Sequence, residues 1–125
     1  MRGDGSEPAA IFAGGFAGAI ARVALAEQWP AEAGTWPWTT FVVNIAGALI
    51  LGWVATRMAP SPRRSLLTTG FCGALTTFST LQLELLQMLD ADHHALAAAY
   101  ASASVVAGLA AVALATRAAR RPEAP

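Results

Sequence analysis

The chain has 125 residues, 55% of them hydrophobic and 13% charged, with eight basic and eight acidic residues that cancel. Soluble domains carry about 25% charged residues. Here the missing charges leave long apolar stretches, and an alanine-rich soluble bundle would still need polar faces that these stretches lack. No basic run points to nucleic acid, and the single Cys72 rules out an internal disulfide, leaving it a small packing residue.

Residues 1–8 read as a short polar tail. The first predicted helix spans about 9–26 and holds one charge, Arg22. It has no basic leader, compact apolar core and cleavage site in sequence, so it reads as a retained helix rather than a signal peptide. Gly14 and Gly18 form a G-x-x-x-G pair that lets another backbone approach closely. No strand precedes this glycine run and no G-K-[ST] follows it, which excludes a nucleotide loop. Residues 27–37 form a loop with Pro30, Gly34 and Pro37, and Trp29, Trp36 and Trp38 mark it as lying at a headgroup layer.

The second helix is predicted over about 38–58, uncharged until Arg57, with Ala48 and Gly52 as a small-residue pair. Asn44 sits at its middle and Thr40 one turn earlier on the same face. A mid-membrane amide is costly unless it finds partners. Asn44 therefore serves either a helix–helix hydrogen bond or a permeating anion. Pro60 and Pro62 close this helix, followed by Arg63 and Arg64.

The third helix is predicted over about 65–89, with a break around 73–77. The stretch Gly70-Phe71-Cys72-Gly73-Ala74-Leu75-Thr76-Thr77-Phe78-Ser79-Thr80 carries glycines and hydroxyls in the middle of an apolar span. Such groups are tolerated at membrane depth only when buried in protein or lining a watery path. Glu84 follows Thr80 by one turn, as an intramembrane carboxylate that is either an ion site or a satisfied structural group. Residues 90–94 form a polar loop in which Asp90, Asp92, His93 and His94 read as solvated, with only a weak hint of a metal. The fourth helix is predicted over about 95–116. Tyr100, Ser104 and Gly108 form one stripe on it, and Ala103, Ala107 and Ala111 another. Residues 117–125 read as a basic tail.

The whole is one all-α membrane domain of four spans. Arginine is its only strong base, and seven of the eight fall in the tails and the connection between helices 2 and 3, on one side of the membrane; Arg22 alone lies toward the other. The positive-inside rule then makes both termini cytoplasmic. No histidine pairs with a nucleophile, so no enzyme is expected.

Three runs in order, Gly14-Gly15-x-x-Gly18-Ala19-x-x-Arg22, Thr40-Phe41-Val42-Val43-Asn44-x-x-Gly47 and Gly70-Phe71-Cys72-Gly73-x-x-Thr76-Thr77-Phe78-Ser79-Thr80, resemble the CrcB/Fluc fluoride channel family. The resemblance implies four-helix subunits of the bacterial plasma membrane that pair antiparallel in lipid, with fluoride pathways along the dimer interface. It implies a third helix broken at the membrane centre, where the carbonyls of Gly73 and Thr76 hold a structural Na⁺. Asn44 would be the pore amide and Phe78 the pore aromatic; Thr40, Tyr100 and Ser104 would form a polar track, with Arg22 and Glu84 toward the pathway ends. The family often has a second phenylalanine where this chain has Leu81, and a further serine where it has Gly108.

The expected function is passive, selective fluoride export that relieves toxicity. The arginine bias adds that this subunit inserts one way only and pairs with an oppositely oriented homologue. The main rival is a small proton-coupled multidrug exporter, which would need a buried carboxylate in helix 1, where this chain offers Arg22 and, beyond the predicted end, Glu27. A second rival, a membrane assembly factor, leaves Asn44 and 76–80 without a purpose.

Overall fold

The computed structural model describes residues 5–32 and 34–120; Arg2 and the last residues of the expected basic tail, 121–125, lie outside that set. All described secondary structure is helical. Helix α1 (Ser6–Gln28), α2 (Trp38–Arg57) and α6 (His94–Ala119) are long and apolar enough to cross a membrane. Between α2 and α6 the chain makes shorter pieces: α3 (Pro62–Ser65), a π-helical segment (Leu66–Cys72), α4 (Gly73–Leu75) and α5 (Phe78–Asp90).

The outer helices overrun their predicted ends. Residues 6–8 of the expected polar tail are already helical, Glu27 falls inside α1, and 117–119 of the expected basic tail belong to α6. Alanine-rich ends cost little to keep helical, so the loss of apolar character does not stop the backbone. Local chemistry sets the sharper stops. The Ser61 hydroxyl accepts the Arg64 N–H at 3.2 Å, and Pro62 opens α3 where its missing N–H has no helical partner to lose. Asp92, left-handed at φ 62, ends α5, a conformation that Asp tolerates better than most residues.

Two close pairings organise the molecule: α2 lies against α6, and α1 lies against the π-helical segment and α4. Gly14 and Gly18 make the second pairing possible. A Cβ on Gly14 would run into the Leu66 carbonyl, and one on Gly18 into the Phe71 carbonyl. Gly70 faces them in the same way, against the Ile11 carbonyl and the Gly14 backbone. On α2, Gly52 lets the α6 backbone approach at Val112, whereas Gly108 on α6 has no neighbour within 4 Å of a would-be Cβ. Overpacking a tight contact costs about 1–3 kcal/mol. Gly18→Ala is therefore expected to lower the melting temperature of the protein in detergent, whereas Gly108→Ala leaves it unchanged.

A core of Met88, Ala97 and fully buried Tyr100 closes the end near the tryptophan loop, with Trp36, Phe41, Leu81, Leu85 and Leu96 packed around it. The Trp36 ring stands edge-on to Phe41 and to Tyr100, each at 5.3 Å between centroids. Outward faces are apolar: Phe12, Phe16 and Ile20 on α1, and Val105, Val106 and Leu109 on α6, are exposed.

Candidate functional site

The site is built where the third helical run stops. Thr76 (φ −76, ψ 152) and Thr77 (φ −145, ψ 112) are extended, so the helical ladder lapses between α4 and α5. Three side chains make up the loss. The Thr76 hydroxyl donates back to the Cys72 carbonyl at 2.8 Å. Thr77 caps α5, its hydroxyl accepting the Thr80 N–H at 3.1 Å. Asn44 clasps Thr77 from α2: its amide donates to the Thr77 carbonyl at 3.3 Å, and its oxygen accepts the Thr77 N–H at 2.8 Å. Arg22 reaches the same region from α1, donating from Nε to the Ala74 carbonyl at 2.9 Å.

One turn from Asn44 along α2, buried Thr40 donates to Glu84 Oε2 at 3.1 Å, and Tyr100 from α6 donates to Glu84 Oε1 at 3.0 Å. Each carboxylate oxygen thus has a hydroxyl donor, as a buried acid requires. Ser104 Oγ, one turn beyond Tyr100, is buried and has no hydrogen-bond partner. Phe78 is 71% exposed, whereas Leu81 packs inward against the Tyr100 core.

Two cavities approach this chain of polar groups. A groove of about 730 Å³ runs between α2 and the third helical run; Ser61, Arg64 and Glu7 line it at one end and Asn44, Gly73 and Thr76 at the other. Asn44, Ala48, Leu51 and Ala55 follow one α2 face down it, a distance of about 16 Å at helical rise. A smaller cavity of about 430 Å³ opens among the loop before α2 and the end of α5, where Glu32, Gln87 and Glu84 line it. The structure therefore places Asn44, in the groove, one turn from Thr40, and joins Thr40 and Tyr100 to Glu84, which lines the smaller cavity. It leaves Phe78 on the outer surface and sets Arg22 on a carbonyl rather than in the groove.

Two partners were not legible in the sequence. Arg64 counts there only toward the charge bias, yet it lines the groove, and Thr77 gives no sign that it is the residue Asn44 holds. The loop histidines hold no metal cluster: His94 lies 3.5 Å from Asp92, both exposed, and no group of three or more His, Cys, Asp or Glu occurs among the described residues.

Apolar helices around a seam of hydrogen-bonding groups define a small multi-pass membrane protein. The chain belongs to the family described as CrcB-like protein, Camphor Resistance (CrcB), whose pattern matches residues 9–116. Among its relatives, the fluoride-specific ion channel FluC 1 of Mycolicibacterium paratuberculosis is 51% identical, over 94% of this chain and 93% of that protein. FluC 1 of Mycobacterium bovis is 49% identical over the same shares. FluC 1 of Geobacillus kaustophilus, also named as a fluoride-specific ion channel, is 39% identical over 82% of this chain and 88% of that one.

Proposed function

We propose that this chain is one subunit of a fluoride channel that lets the anion leave the cytoplasm passively. The observation that carries the reading is the pair of cavities. They come from opposite ends of the molecule, and Asn44 lines one while Glu84, bonded to Thr40 a single turn away, lines the other.

Fluoride is small and holds its water tightly, so a dry passage must offer replacement donors. The Asn44 amide, the hydroxyls of Thr40, Tyr100 and Ser104, and the electropositive ring edge of Phe78 are such donors. All are neutral, which suits passage, since an ion must leave each site as readily as it arrives. Thr40 and Tyr100 are engaged by Glu84, so an anion at this level competes with the carboxylate for the same two O–H groups. Ser104 is not engaged, which makes it a free donor on the same α6 face.

The third helical run is read here as the remaining membrane span, broken at Thr76–Thr77, and the subunit as half of an antiparallel dimer. Exposed Phe78 supports this, because an aromatic pore residue on an outer surface needs a second subunit to face. The structural Na⁺ of the sequence expectation fits the donors present. In an unbroken helix the Thr77 N–H would go to the Gly73 carbonyl; here it goes to Asn44, which frees that carbonyl. Gly73 and Thr76 would hold the ion through carbonyl oxygens, ligands suited to a hard cation. Its charge would offset their dipoles at the seam between subunits. Leu81, where the family often has phenylalanine, supplies bulk to the Tyr100 core and no ring edge.

The rival exporter needs a buried carboxylate in α1, and both Glu7 and Glu27 are exposed there. The deciding experiment co-expresses this chain with an oppositely inserted family member and reconstitutes the pair into fluoride-loaded vesicles. A fluoride electrode is expected to record efflux that persists when the proton gradient is collapsed, with no transport of cationic dyes. Gradient-dependent dye efflux without fluoride release overturns the reading.

A further inference from the structure

We infer that Arg64 and Glu7 act as opposed charges at the mouth of the groove, Arg64 drawing fluoride in and Glu7 keeping it from lodging there. This rests on the fluoride reading above and assigns the control of access to two residues outside the seam of hydrogen-bonding groups.

Three observations carry it. First, among the described arginines only Arg64 lines the groove. Arg57 donates to the Ala119 carbonyl at 3.2 Å and lies over the Trp53 ring, and Arg22 is held by Ala74. Second, the Arg64 guanidinium is fixed but not used up. One Nη donates to the Ala55 carbonyl at 3.2 Å, while Nε is shielded from solvent and has no hydrogen-bond partner. A guanidinium tethered in this way holds its charge at the groove wall, where an entering anion senses it. Third, Glu7 lines the same groove and accepts the Ser65 hydroxyl at 2.9 Å, and no ion pair joins it to Arg64 among the described residues. The two charges are therefore held separately, each by neutral groups, and both act on what enters.

Physically, a fixed charge beside low-dielectric walls focuses its field along the cleft and raises the local concentration of its counter-ion. An uncompensated arginine would do this too well and hold the anion. A carboxylate at the same mouth flattens the well. Asn44 and Thr76 then meet the ion at the far end of the groove.

The test uses the paired channel in phosphatidylethanolamine–phosphatidylglycerol vesicles, with efflux read at low fluoride. Arg64→Gln is expected to reduce efflux about tenfold at low ionic strength, the lower end of electrostatic focusing. The deficit is expected to shrink in ~1 M impermeant salt, where the screening length falls to about 3 Å. Glu7→Gln is expected to shift the other way, with faster efflux at low fluoride and saturation at a lower concentration. Arg64→Lys keeps the charge and is expected to retain most of the flux. A salt-independent deficit in Arg64→Gln overturns the inference, since it indicates packing against Ala55 alone. So does a Glu7→Gln channel with wild-type concentration dependence. If Arg64→Gln fails to accumulate, Glu7→Gln decides: wild-type concentration dependence in it overturns the inference. Wild-type pairs that release fluoride normally while these variants change nothing sink this inference alone; wild-type pairs that release none sink the channel reading with it.

Discussion

Expressed alone in cells stripped of their own fluoride exporters, this chain is expected to give no fluoride efflux above background. Co-expression with an oppositely inserted family member is expected to raise efflux at least about tenfold. The reason is the placement of arginine. Arg57 and Arg64 reach the ends of α6 and α2 through the Ala119 and Ala55 carbonyls, and Arg63, Arg117 and Arg120 lie at the same end. Arg22, counted in the sequence toward the other side, is instead drawn to Ala74 beside the break. No other arginine lies toward the far end among the described residues, where the bases are His93 and His94. Each arginine near an anionic cytoplasmic surface is worth about 1 kcal/mol. Five on one end make the inverted orientation rarer by far more than tenfold, at 1.4 kcal/mol per decade. An antiparallel pair needs that orientation from some other chain. Strong fluoride efflux from cells making this subunit alone would defeat the argument.

On the channel reading proposed above, Asn44→Asp is expected to close a pathway along Asn44, reducing total efflux of a paired channel to whatever the partner's pathway carries. The substitution keeps size and shape and removes one function. A carboxylate still accepts the Thr77 N–H, so the break keeps that arm. The other arm reverses: an oxygen now faces the Thr77 carbonyl where an amide donated, and a negative charge stands on the proposed path of the anion. Losing the donor against a buried acceptor costs about 1–3 kcal/mol, and like-charge repulsion adds to the barrier, so conduction through that pathway falls by about a hundredfold. The amount of dimer recovered by size-exclusion chromatography is expected to stay near wild type. Unchanged efflux from the Asp variant would remove Asn44 from the pathway.

How much of this was written in the sequence depends on the range of the interaction. Apolar runs announce α1, α2 and α6 because each needs only its own residues to be recognised. Gly14 and Gly18 announce a close approach, but not that it is made to the carbonyls of Leu66 and Phe71. The π-helical segment at Leu66–Cys72 leaves no mark, since one extra residue per turn barely disturbs a pattern of apolar residues. Mid-span polarity singles out Asn44, Thr40, Glu84 and Tyr100, and the structure draws them together. That Thr40 and Tyr100 spend their hydroxyls on Glu84 is a property of three helices at once, and no local pattern encodes it. Arg22 and Arg64 show the same limit. In the sequence Arg64 counts toward the charge bias and Arg22 toward a pathway end, and only tertiary placement assigns one to a groove and the other to a carbonyl.

The clasp on Thr77 also bears on how position 44 can drift. Asn is the side chain that sets an amide donor and a carbonyl acceptor side by side at this reach. Its codons mutate in one base change to Asp, His, Lys, Ser, Thr, Tyr or Ile, and none of these offers that matched fork. A lineage leaving Asn44 by a single nucleotide step therefore gives up at least one arm of the clasp at once, which leaves purifying selection little neutral ground at this codon.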